Sequence, residues 1–235
     1  MLKLKILGAS GQTLAVSPVG EGASLVYTAP YAPGDWIALE CDTPGFYTVQ
    51  LEDSMPPATV YLPGRTADYH IPQGEQRSIF SPKSFEGSCH VVRACSATAE
   101  QIAARRNLAF NPYDAHENNS LYPHAAANVE TRGEAVFAAR NAIDGVNYPH
   151  CHGRYPFESW GINQRTDAAW QLDFGRTIRA DRLALTTRAD FPHDAWWVQA
   201  TLTLSDGTVQ QLALTKTADG QVFDLGGRLI TGLRL

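Results

Sequence analysis

Two stretches of this sequence concentrate side chains that can do chemistry. One runs Tyr148-Pro-His150-Cys-His152-Gly-Arg154-Tyr-Pro-Phe-Glu158-Ser-Trp160, and the other Arg188-Ala-Asp190-Phe-Pro-His193-Asp194-Ala-Trp196-Trp197. Between them they hold His150, His152, Arg154, Arg188, Asp190, His193, Asp194 and Trp196. Imidazoles, guanidinium groups, carboxylates and an indole at this density suit a sugar. A sugar ring packs its C–H face on an aromatic, while its hydroxyl rim needs paired donors and acceptors. Arg188 can bridge neighbouring hydroxyls or grip a carboxylate with its planar fork; it can equally pair with Asp190 or Asp194. Each histidine can face a ligand or cap a loop. Trp196 and Trp197 point to opposite faces if the segment is extended, so at most one is a platform.

The same residues admit other chemistries. Glu158, Asp190 and Asp194, with the histidines as acid or base, could serve a sugar-active enzyme, provided two carboxylates stand roughly 5–10 Å apart in a cleft. His150-x-His152 with His193 has the makings of a zinc set, although that spacing is common without a metal.

The elements that must position these loops read as strands. In the first hundred residues Leu2, Leu4 and Ile6 alternate with Lys3 and Lys5; Ile37, Leu39 and Cys41, then Tyr47, Val49 and Leu51, then Ala58, Val60 and Leu62 repeat the period of two. Turns rich in Pro and Gly separate them, which indicates a sandwich. Residues 98–107 form the one helical stretch, with Thr98 and Gln101 at capping-box spacing. The segment 111–120 is rich in turn formers and reads as an ordered linker. Beyond it Trp170, Leu172 and Phe174 alternate, Leu183 and Leu185 follow, Val198, Ala200, Leu202 and Leu204 lead into the hairpin signal Ser205-Asp-Gly-Thr208, and Leu229, Leu233 and Leu235 close the chain. The expected architecture is all-β: two jelly-roll-like β-sandwich domains, residues 1–96 and 121–235, joined by a helix and linker at 97–120.

Composition narrows the function further. The chain has 235 residues, 44% hydrophobic and 18% charged, which supports packed cores. A net charge of −5 without a Lys/Arg run argues against nucleic acid as a partner. No apolar stretch reaches the roughly eighteen residues that span a bilayer, and the N-terminus lacks a signal-peptide pattern, so a non-membrane protein is expected, cytoplasmic as the sequence stands and secreted if a leader has been removed. Cys41, Cys89, Cys95 and Cys151 show no metal-binding spacing. Reduced thiols are the default in that compartment, although Cys89 and Cys95 could pair.

Four pieces in order resemble the discoidin, or coagulation-factor type C, family of galactose-binding-like modules: Asn141-Ala-Ile-Asp-Gly145, Ser159-Trp160, Trp170-Gln-Leu-Asp-Phe-Gly175, and Leu183-Ala-Leu-Thr-Thr-Arg188 followed by Leu204-Ser-Asp-Gly207. The resemblance covers about residues 121–235 only. It implies a jelly roll with a carbohydrate site in the loops at one end, Arg188 at the position of the family's ligand-binding arginine, and Trp160 in a packing role. It also implies a structural calcium at Asp144, although the second acidic ligand usual near the family's C-terminus is missing here. Three functions stay open: a non-catalytic carbohydrate-binding protein, a sugar-active enzyme, and a structural protein assembling as a homo-oligomer.

Overall fold

The computed structural model describes residues 1–116, 119–191 and 196–235. Among these residues, thirteen strands in three antiparallel sheets make the protein all-β. Among the described residues no helix is long and apolar enough to cross a membrane.

The first half contains β1 (Leu2–Leu7), β2 (Thr13–Val16), β3 (Gly22–Tyr27), β4 (Trp36–Cys41), β5 (Gly45–Gln50), β6 (Ala58–Leu62), β7 (Thr66–His70) and β8 (His90–Ser96). They form two four-stranded sheets, β2-β1-β4-β7 and β3-β8-β5-β6. The alternating positions go inside as their period requires: Leu4, Ile6, Ile37, Val49 and Leu62 are all 0% exposed. Inward side chains of both sheets share one core. Burial of each large aliphatic contributes about 1.5–3 kcal/mol, which is why the alternation sets the register so firmly.

The second half is organised differently. Here β9 (His124–Ala127), β10 (Trp170–Leu185), β11 (Gln199–Leu204), β12 (Val209–Ala213) and β13 (Gln221–Arg234) make one five-stranded sheet in the order β12-β11-β13-β10-β9. The runs at 170–174 and 183–185 join into a single long strand. Strands β10 and β13 pair through register shifts between Asp173 and Ile178 and between Ala180 and Arg182. Irregularities of this kind bend a strand and change which residues face the core. So Ile230 is buried at 1% while Leu229, the position alternation favoured, is 66% exposed. Trp170, Leu172, Ile178, Leu225 and Leu233, from both ends of the two long strands, meet in one core.

The connection between the halves also departs from expectation. The helix is a single turn, α1 (Ala99–Ala103), rather than 98–107. Its capping box forms, with Thr98 N donating to Gln101 Oε1 at 2.8 Å and Gln101 N to Thr98 Oγ1 at 3.2 Å. None of its residues is buried, so no packed face rewards propagation beyond the nucleus. The guanidinium of Arg106 instead takes the carbonyls of Gln101 and Ile102. Within the ordered linker expected at 111–120, residues 111–114 form a buried seam. Asn111 and Tyr113 are 0% exposed and Asp114 2%. Asn111 Nδ2 donates to the carbonyls of Leu121 and Pro123 at 3.0 and 2.8 Å, and Tyr113 and Leu121 pack into the first core.

Two glycines of the family-like motifs owe their identity to this seam. Gly145 has φ +86°, and a Cβ there would stand 2.4 Å from the ring of Phe110. Gly175 has φ +64°, and a Cβ there would stand 2.5 Å from the ring of Tyr122. Left-handed backbone and a ring in contact both forbid a side chain. Gly175→Ala is expected to lower stability by about 2 kcal/mol or more, read as a shift in the denaturant midpoint.

Candidate functional site

The loop 146–160 meets residues 186–191, just past the end of β10. Ala189 N donates to the Pro149 carbonyl at 2.6 Å, and Asn147 Nδ2 to Thr186 Oγ1 at 3.1 Å. Ala189, 6% exposed, turns inward, so Arg188 and Asp190 on either side of it share the outer face. The Asp190 carboxylate then lies between two groups. Its Oδ2 is 2.5 Å from His152 Nδ1, and its Oδ1 is 2.5 Å from Arg188 Nε. Burial pushes the Asp190 carboxyl up, but the His152 hydrogen bond and the Arg188 charge outweigh that and hold it below the usual carboxylate range. Asp190 is therefore a fixed anion that orients an imidazole and a guanidinium from two separate loops. The side chains are 12% exposed for Asp190, 28% for Arg188 and 44% for His152, so the network borders solvent.

The remaining candidates divide. His150 and Arg154 are exposed and stand outside this network. Trp197 packs edge-on against Trp160, with centroids 5.7 Å apart, and Trp160 Nε1 donates to the Val129 carbonyl at 2.8 Å. Both are held by packing, which leaves the half-buried Trp196 as the member of its pair able to face a ligand. His193 and Asp194 lie outside the described residues. Two aromatics in these loops carry more open surface: Tyr148 at 59% and Phe191 at 45% exposed. Their exposure follows from the loop path, which no periodicity reveals. Lys216 Nζ lies 4.2 Å from the centre of the Phe191 ring, bringing the β12–β13 connection alongside.

Asp144 and Glu158 sit deeper, at 5% and 6% exposed. Asp144 Oδ1 accepts the Val146 N–H at 2.9 Å, and Oδ2 faces Arg140 Nη1 at 3.5 Å. Both oxygens of Glu158 are buried without a hydrogen-bond partner. Burial raises the Glu158 carboxyl to about 7, with the Asp144 charge adding to the rise and Arg140 opposing it. Burial raises Asp144 to about 6 against the opposing pull of Arg140 and the Val146 N–H. The two acids could supply oxygens to a hard cation, but calcium at Asp144 would have to compete with a guanidinium of this chain. Nor does Glu158 offer hydrolysis a solvent-facing carboxylate.

A buried acid with a raised pKa binds more protons folded than unfolded between about pH 4.5 and 7, so stability falls as pH rises through that window. Asp144 adds a slope of the same sign. Glu158→Gln is expected to flatten the decline and to gain about 2 kcal/mol at pH 8 with no gain at pH 4, measured by chemical denaturation across that range.

No protein-family model and no curated protein matches this chain. Among solved structures, the crystal structure of an F-lectin (fucolectin) from the serum of striped bass, Morone saxatilis, is similar over 91% of this chain and 78% of that one, with 12% identity and a TM-score of 0.39. A likeness that distant assigns neither a family nor a ligand.

Proposed function

We propose that this chain is a carbohydrate-binding protein that holds its ligand on the loops 148–160 and 188–197. The observation that carries the reading is the Asp190 carboxylate fixed between Arg188 and His152 at the edge of solvent. A hydroxyl group is recognised through a donor and an acceptor at set positions. Side chains already locked by one another lose little freedom when they meet it. Tyr148 and Phe191, exposed in the same loops, and the half-buried Trp196 offer aromatic surface for the C–H face of a sugar ring. A charged, oriented guanidinium favours ligands with vicinal hydroxyls or a carboxylate, so uronates belong in the test panel beside neutral galactosides and fucosides.

Glycan-array screening followed by calorimetric titration tests this directly. Arg188→Ala is expected to weaken the best ligand by about 1–3 kcal/mol, roughly 5- to 150-fold, with Asp190→Asn following in the same direction. Failure to bind across a broad panel, or unchanged affinity in a folded Arg188→Ala protein, overturns the reading.

A further inference from the structure

The first half contains a second polar site, far from the loops discussed above in sequence and absent from the sequence-level candidates. Glu52 and Asp53 form the turn after β5, and His90 begins β8. Glu52 and His90 are buried at 2% and 1% exposed, whereas Asp53 reaches the surface. One oxygen of Glu52 is satisfied: Oε1 accepts from Ser54 N and Ser54 Oγ at 3.2 and 3.0 Å. The other, Oε2, has no hydrogen-bond partner and faces His90 Nδ1 at 4.0 Å.

The tautomer of His90 sharpens the problem. Its Nε2 lies 3.3 Å from the Gly87 carbonyl, which can only accept, so Nε2 carries the proton. A neutral ring then directs the Nδ1 lone pair at a carboxylate oxygen. Two acceptors on buried side chains then face each other, at a separation too long for a hydrogen bond. A proton or a cation resolves that confrontation, and the surroundings favour a cation. Ligand atoms of Glu52, Asp53 and His90 all lie within 4.8 Å of one another. Bonds of about 2.0–2.2 Å to a shared ion would hold such atoms roughly 3.0–4.2 Å apart, a small closure for an exposed Asp53 to make. The buried hydroxyl of Tyr31 is also without a partner, and its ring lies against His90 with centroids 4.1 Å apart. The Gly87 carbonyl on the far ring nitrogen and Ser54 on Glu52 Oε1 are outer contacts of the kind that orient metal ligands.

We infer that Glu52, Asp53 and His90 form a site for a first-row divalent cation of the zinc class, beside the Tyr31 hydroxyl. One imidazole nitrogen with two carboxylates suits such an ion better than calcium or magnesium, which favour all-oxygen shells. A hollow of about 320 Å³ shares Tyr31 and Gly87 with the site, and its rim includes Arg77 and Phe85.

The test is titration of the full-length, chelator-treated protein with Zn²⁺ by calorimetry and thermal denaturation, with Co²⁺ as a spectroscopic probe. One equivalent is expected to bind and to raise the melting temperature. Asp53→Asn, at an exposed position that spares the fold, is expected to weaken binding at least tenfold, and the near-isosteric Glu52→Gln to abolish it. A His150→Ala/His152→Ala double variant is expected to bind as tightly as the wild type, which separates this site from the C-terminal loops. A folded protein that takes up no zinc overturns the proposal and leaves a proton shared by Glu52 and His90. Zinc affinity that survives both Glu52→Gln and Asp53→Asn overturns it equally, since the ion would then sit elsewhere.

Discussion

A buried guanidinium joins the two halves of this protein. Arg140 is 5% exposed, and its donors reach the carbonyls of Asp114 at 2.9 Å and Pro112 at 2.7 Å, then Asn141 Oδ1 and Asp144 Oδ2. The Phe80 ring, from the first half, lies 5.1 Å from its centre. A desolvated cation left unpaired costs several kcal/mol, so these acceptors are not optional. They dictate the path of residues 111–114, which presses Tyr113 into the first core. They also fix Asp144, the residue from which the site loop departs.

Charge is handled differently at the loop end. Ion pairs bordering solvent contribute at most about 1 kcal/mol to stability, so the fold has little need of Asp190 between Arg188 and His152. The geometry is nevertheless specific, drawing three side chains from two loops around one carboxylate. On the proposed function, the ligand it would hold, rather than stability, accounts for that geometry. Arg140 and Arg188 carry the same group in different surroundings: the first is 5% exposed, and the second, at 28%, borders solvent.

Burial also distinguishes two orphaned carboxylates. Glu158 stands near another acid and Arg140, and it relieves its isolation by taking up a proton, its carboxyl raised to about 7. Glu52 has an imidazole lone pair across from it and an exposed aspartate beside it. Desolvation bears on both. The second has an imidazole nitrogen and a further carboxylate within 4.8 Å, whereas the acid near the first already faces the Arg140 guanidinium.

The sequence by itself determined the all-β class and the inward side chains of β1, β4, β5 and β6, where apolar residues recur at every second position. Leu2, Leu4, Ile6, Ile37, Leu39 and Val60 could be placed from alternation alone. It also marked the two loops that meet, since His152, Arg188 and Asp190 were conspicuous by type and clustering. Tertiary structure decided the rest. Leu229 faces outward and Ile230 inward between two register shifts of the β10–β13 pairing, and no local pattern encodes how one strand pairs with another. The segment 111–114 looked like a linker because its turn-forming residues are polar; a buried arginine made it a seam. Glu52, in the turn after β5, and His90, at the start of β8, are 38 positions apart, so their meeting is a product of the β5–β8 pairing. Short-range spacing is written in the chain, whereas contact between distant residues exists only once the sheets have formed.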